Sequence, residues 1–416
     1  MAQDDTEVAI IGGGAAGVAA ARRLHDAGVD CLIVEARERL GGRSWTVAHD
    51  GFALDLGCGW LHSAERNPWV EIARAQGLTI DETPPPWMRS SLGFRGTEQN
   101  DYREAMERFY ARVSELARTD ADTSMAAALE SGGRWNGLLG AVITFISGAE
   151  PVQVSARDFD NYDNTEVNWR VVEGYGAAIA GYGKNVPATL GCQVARIDHG
   201  GKRLKIETAK GTIAADRVIV TLPSTVLAEM ESLFAPALPE KTQAARNLPL
   251  GLNDKLFIAL DRPEEFEANS RLFGHKNLSK TAAYHIRPFG RPMIEAFFGG
   301  ALAVELEAAG EGAFFDFAVA ELTDRLGNGF ATRLKPIRIH RWGADPLARG
   351  AYSYALPGKV DCRATLAAAV DGRLFFAGEA CSKHDYSTAH GAYLTGIAVA
   401  EQVMAMRKKI THIASD

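Results

Sequence analysis

The sequence predicts an α/β protein of two domains: a parallel-sheet domain drawn from both ends of the chain, and an α+β domain drawn from its middle. Three observations carry this expectation. Residues 7–34 read as strand, glycine turn, helix and strand, the opening of a parallel sheet. Residues 374–377 form a second short apolar run near the C-terminus, followed by Gly378-Glu379. Between them, after the stiff Pro84-Pro85-Pro86, the periodicity turns helical. A chain of 416 residues is long enough for two or three domains.

The elements follow in order. Residues 7–11 are a buried strand, and Gly12 to Gly17 turn it into a helix with Val18, Ala21 and Leu24 on one face. Gly28 ends that helix, and residues 31–34 are the second strand. Residues 102–117 and 124–145 read as two helices within a mainly helical insertion of about residues 80–170. Alternation at 194–197, 204–208 and 218–221, broken by glycine turns, predicts a β-meander that returns to a core strand. Residues 255–260 open another strand region, 314–326 an amphipathic helix, and 392–406 a terminal helix.

Composition excludes several classes. The formal net charge of -7 argues against a nucleic-acid binder, which carries a basic excess. The five cysteines are odd in number and without C-x-x-C spacing, so neither disulfides nor zinc are expected. His384 and His390 lack metal-ligand spacing, and no metal is predicted. Met1 to Glu7 are polar, with no signal peptide, and no apolar run reaches transmembrane length. The expected location is the cytoplasm, as monomer or homodimer, without nucleic-acid or membrane partners.

Gly12-Gly13-Gly14-Ala15-Ala16-Gly17 matches G-x-G-x-x-G. Its glycines allow a tight turn, close approach to a pyrophosphate, and packing of helix on strand. The helix N-terminus offers free N–H groups to phosphates. Glu35 ends the second strand, where a carboxylate can accept from a ribose diol. Together these predict a Rossmann-type dinucleotide site. Gly41-Gly42-Arg43 follows, with Arg43 able to meet a phosphate.

At Glu35-Ala36-Arg37-Glu38-Arg39-Leu40-Gly41-Gly42-Arg43 and Asp55-Leu56-Gly57-Cys58-Gly59-Trp60 the chain resembles the flavin amine oxidase superfamily of monoamine oxidases, polyamine oxidases and lysine demethylases. The resemblance continues at Val194 (adenine), at Trp342 and Gly350-Ala351-Tyr352-Ser353 (beside the flavin ring), and at Phe376-Ala377-Gly378-Glu379 (ribityl chain). It implies non-covalent FAD held by Gly12, Gly14, Ala16, Gly17, Glu35, Ala36, Gly42, Arg43, Gly57, Gly59, Trp60, Val194, Trp342, Gly378, Glu379, Thr388 and Ala389. It implies a discontinuous FAD domain of residues 1–80, 170–248 and 343–416, and a substrate domain of 81–169 and 249–342.

Lys255 resembles the family's lysine that holds a water near flavin N5, where positive charge favours reaction with oxygen; otherwise it is a solvated lysine at a strand edge. His62 lies where vertebrate polyamine oxidases carry W-I-H-G, near the substrate; its alternative is a buried structural histidine. Tyr352 is either the remaining aromatic wall of an amine site or a core tyrosine. Thr388 stands where monoamine oxidases place a tyrosine, and Tyr386 to Gly391 look instead like vertebrate polyamine oxidases and the demethylases. The implied activity is oxidation of a small-molecule amine, nearest in motifs to polyamine oxidases, with O2 as acceptor. Amino-acid oxidation, desaturation, or a binding protein on the same fold are the alternatives.

Overall fold

The computed structural model describes residues 5–413. The polar residues 1–4, part of the segment from which no signal peptide was expected, lie outside the described residues, as do 414–416. The side chains of Lys408 and beyond are likewise outside them.

The parallel strands expected from both ends of the chain lie in one eight-stranded sheet. Its parallel core runs Ala188–Thr189, Cys31–Val34, Asp5–Ile11, Gly211–Val220, Leu374–Phe376. The N-terminal and C-terminal strands are thus joined through the Gly211–Val220 strand. That ten-residue strand serves two layers. Its first half closes an antiparallel meander with Leu204–Thr208 and Val194–Asp198, and its second half lies parallel in the core. Val8, Ile10 and Ile33 are fully buried, which explains their unbroken apolar run. The Ala15–Asp26 helix and the C-terminal helix, Ala389–Ile413, bury their apolar residues in one cluster against this sheet.

The second sheet is antiparallel, in the order Ser270–Phe273, Ala283–Ile286, Met293–Gly299, Asn253–Leu260, Leu334–Ile339. Gly300–Ala309 and Glu311–Leu326 pack one of its faces in a single core with Tyr284, Ala296 and Phe298.

Two expectations need correction. Residues 124–145 do not form one helix: a short turn at Met125–Ala128 is separated from the Asn136–Ser147 helix. Gly132, at φ +67°, breaks it, a conformation that glycine adopts without the penalty of a side chain. The terminal helix starts at Ala389, three residues before the apolar periodicity begins, because Thr388 caps it: the Gly391 N–H donates to the Thr388 hydroxyl at 3.0 Å. Among the described residues no helix is long and apolar enough to cross a membrane.

Candidate active site

Gly17 is the key to the first turn. A Cβ there would sit 1.9 Å from the Gly12 carbonyl oxygen, so only glycine lets helix and strand meet. Gly12 itself has φ +103°. The helix begins at Ala15 after Gly14, which offers no side-chain cap, so the N–H groups of its first turn face the cavity beside Ala15 and Ala16. Glu35 is buried, accepting from the Gly13 N–H at 2.6 Å on one oxygen and from the Arg37 N–H at 2.7 Å on the other. Each oxygen keeps a further lone pair for a diol.

One cavity of about 870 Å³ runs between the two sheets. Gly12, Gly14, Ala16, Glu35, Ala36, Gly42, Arg43, Gly57, Gly59, Trp60, His62, Val194, Lys255, Trp342, Tyr352, Gly378, Glu379, Thr388 and Ala389 all line it. Gly17 alone among the expected residues lies behind the wall, in the packing role its neighbours dictate. Gly57 is held to a hydrogen by close approach, since a Cβ would fall 1.7 Å from the Arg43 carbonyl oxygen. Trp342 is anchored by its indole N–H on the Leu56 carbonyl at 3.0 Å.

Arg43 and Glu379 were expected to face a cofactor separately. They are paired with each other, at 2.9 Å, and Arg43 also donates to the Ala351 carbonyl at 2.7 Å. Glu379 accepts from Ser353 at 2.6 Å and from the Ser387 N–H at 2.9 Å. Ser353 joins the buried Arg363, which pairs with Asp158 at 2.7 Å. Burial pushes the Glu379 carboxyl up, but Arg43, Ser353 and Arg363 outweigh it and hold it below its usual range. This network ties the helical insertion to the C-terminal segment.

Lys255 is not a solvated edge lysine. It points into the cavity from the Asn253–Leu260 strand with its side chain 8% exposed, 3.5 Å from Glu295. Glu295 is fully buried and also meets Arg170 at 3.0 Å and His285 at 3.6 Å. Burial works against its charge, yet Arg170, Lys255 and His285 hold it well below the carboxylate range. Arg170 also covers Trp60, 4.9 Å from the ring. Sequence reasoning missed Glu295, Arg170 and His285. One signal was legible, an acid inside the apolar run Met293–Gly299.

His62 sits on the cavity wall with Nδ1 2.6 Å from the Asn168 Oδ1. Burial lowers it to about 4, with His390 adding to the effect and Asn168 opposing it. A histidine with a depressed folded pKa stabilises the protein above its unfolded pKa of ~6.5, and that contribution is lost as pH falls towards the folded value. His62 is therefore neutral at pH 7, and a pH–rate limb between about 6 and 8 will not be its own. Histidine NMR resonances followed from pH 5 to 8 check this; a His62 signal that titrates near 6.5 refutes it.

Tyr352 belongs to a two-residue strand on Leu250–Gly251 and donates its phenol to the Phe145 carbonyl at 2.5 Å. Its hydroxyl thus holds the C-terminal turn of the Asn136–Ser147 helix against the cavity. Glu65 and Arg66 do not line the cavity. Glu65 accepts from Thr165, and Arg66 pairs with Asp385 at 2.6 Å. Among the described residues no cluster of His, Cys, Asp and Glu is positioned for a metal ion.

Known proteins match this architecture along its length. Polyamine oxidase 2 of Arabidopsis thaliana is 29% identical, over 95% of this chain and 87% of its own. Lysine-specific histone demethylase 2 of Homo sapiens is 26% identical, over 96% of this chain and 53% of its own. The fold of putrescine oxidase bound to putrescine superposes with a TM-score of 0.77 at 18% identity, covering 97% of this chain and 100% of that one. The description "flavin containing amine oxidoreductase" matches residues 15–145 and 156–404. The chain therefore belongs to the flavin-containing amine oxidoreductases, enzymes acting on amines, and its cofactor is FAD.

Proposed function

We propose that the protein oxidises a primary or secondary amine without an α-carboxylate, polyamines included, to an imine that water hydrolyses to a carbonyl compound and a released amine or ammonia, with O2 reduced to hydrogen peroxide. The observation that carries this reading is Lys255, a buried cation on the wall of the same cavity as the dinucleotide turn.

Bound FAD supplies the two-electron acceptor for the amine carbon's hydride and passes the electrons to oxygen. The residues that would hold it are the uncapped helix start at Gly14 to Ala16 for the pyrophosphate, Glu35 for the ribose, and the Arg43–Glu379 pair beside its middle. Lys255 supplies positive charge where oxygen gains electrons. Glu295, 3.5 Å away, holds that ammonium in place. Neutral His62 leaves the substrate nitrogen without a second fixed cation beside it. Trp60 and Tyr352, with Phe297, give the cavity apolar walls that exclude water from the imine. No arginine follows Leu56-Gly57-Cys58-Gly59 to grip an α-carboxylate.

The test is anaerobic bleaching of the flavin with spermidine, simple monoamines and L-amino acids in parallel, then peroxide detection on admitting oxygen. Rapid reduction by an L-amino acid, with none by its decarboxylated amine, overturns the reading in favour of amino-acid oxidation.

A linked expectation concerns attachment. Monoamine oxidases bond flavin to a cysteine that corresponds to Ala351 here, so that thioether cannot form. Cys58 lines the cavity, but burial pushes its thiol up to about 12, far from the reactive thiolate. Acid precipitation of the yellow protein will release its flavin into solution; colour retained in the washed pellet is the contrary result.

A further inference from the structure

The cavity wall carries a cation that the amine chemistry does not use. Arg271, on the Ser270–Phe273 strand, lines it with the guanidinium 4.1 Å from the face of Phe273. The other lysine and arginines on the cavity wall are matched: Lys255 has Glu295, Arg43 has Glu379, Arg37 has Asp345 and Arg349 has Glu229. Among the described residues the Arg271 side chain has neither a carboxylate within ion-pair distance nor a hydrogen-bond acceptor. Beside it the buried hydroxyl of Tyr102, also on the cavity wall, has no hydrogen-bond partner either. The two groups feel each other: burial pushes the Tyr102 phenol up and the Arg271 charge pulls it down. Burial likewise lowers the Arg271 guanidinium. A half-buried guanidinium without a carboxylate is costly to keep, and a buried phenol without an acceptor adds to the cost. Both groups donate, and both lack the same thing, an oxygen acceptor.

The register fixes their distance from the reacting end. Arg271 pairs with His285, which pairs with Glu295, which pairs with Phe257, so Arg271 and Lys255 lie on one face of the sheet, three strands apart. At ~4.8 Å between strands that separation is roughly 14 Å across the sheet. An α-carboxylate cannot span it; the far end of a chain of several methylenes can.

We propose that Arg271 and Tyr102 form a subsite for a carboxylate at the distal end of the substrate, making the preferred substrate an ω-carboxylated amine rather than a polycation. This rests on the reading of the cavity as an amine-oxidising site and narrows it. A polyamine's distal ammonium would meet an uncompensated guanidinium, whereas a carboxylate gains a forked, charge-assisted pair and the phenol's hydrogen bond.

The experiment compares anaerobic flavin reduction by straight-chain ω-amino acids, the α,ω-diamines of equal length, spermidine and simple alkylamines. It is paired with titration of simple alkyl carboxylates against the oxidised holoenzyme, followed by changes in the visible flavin spectrum. An ω-amino acid of the right length is expected to outperform its diamine. Arg271→Met is expected to weaken its apparent binding on the order of 10- to 100-fold, the scale of one charged hydrogen-bonding partner. The saturating rate of reduction and the alkylamine rates should change little, and Arg271→Lys should recover part of the loss. The carboxylate titration reads the subsite in the wild-type enzyme, so an Arg271→Met protein that does not fold leaves the test intact. Carboxylates that fail to bind the wild type, or a diamine or spermidine preferred over the ω-amino acid and unaffected by Arg271→Met, overturn the subsite. If no amine bleaches the flavin, the amine-oxidising reading fails, and carboxylate binding still decides on Arg271.

Discussion

Glu295→Gln will destabilise the enzyme by on the order of 3–5 kcal/mol, the range for removing one partner of a buried ion pair and leaving the other uncompensated. The carboxylate is fully buried and serves Arg170, Lys255 and His285 at 3.0, 3.5 and 3.6 Å. An amide keeps the shape and one acceptor but removes the only negative charge in that group, so Arg170 and Lys255 are left to repel each other in a medium of low polarity. The sign of the pH dependence follows. The folded pKa of Glu295 is depressed, so its stabilisation is complete above the unfolded value of about 4.3 and is lost as pH falls through the folded value. Thermal unfolding should therefore show a lower Tm for Glu295→Gln at pH 7 and a gap from wild type that narrows on acidification below about pH 4. In the double variant with Lys255→Met, part of the loss should return, because one surplus cation is gone. An unchanged Tm in Glu295→Gln at pH 7 would mean that the cluster has no electrostatic role in the fold.

The contrast between Gly17 and Glu295 shows what a sequence makes visible. Gly17 belongs to a local arrangement, strand, turn and helix, whose steric demand is written within a few residues; it was placed correctly, and so were the parallel strands on either side. The Gly211–Val220 strand was legible as the end of a meander but not as the strand that joins both chain ends, since that pairing depends on partners far away. Glu295 was overlooked because Arg170 lies 125 residues from it in the chain, and no local period couples them. The four-residue strands Ser270–Phe273 and Ala283–Ile286 carry too short an alternation to declare themselves, so the edge that holds Arg271 was invisible as well. Most of the candidate cofactor cradle, built of glycines and chain turns, could be read in advance. The charges behind the cavity, which strand register and a strand of another sheet bring together, could not.

Lys255→Met bears directly on the chemistry. Methionine matches the length of the lysine stem and fits between Phe257 and Phe297, whose rings lie 5.9 Å from the ammonium. Glu295 keeps Arg170 and His285, so its charge remains compensated and the sheet should hold. Glycine turn, Glu35 and the Arg43–Glu379 pair do not touch Lys255, and FAD should be retained at full occupancy. What disappears is a fixed positive charge in a site shielded from water, where its effect on developing negative charge is large. Reoxidation of the reduced flavin by O2 is then expected to slow on the order of tenfold to a thousandfold, the scale of losing one charge-stabilising donor. Anaerobic reduction by the same amine should be far less affected. Stopped-flow traces of the two half-reactions separate these outcomes, because a general disturbance of the cavity would slow both. Lys255→Arg, which retains the charge, should recover much of the oxygen reactivity. Reoxidation of Lys255→Met at the wild-type rate would remove Lys255 from the oxygen step and leave it as a partner of Glu295 alone.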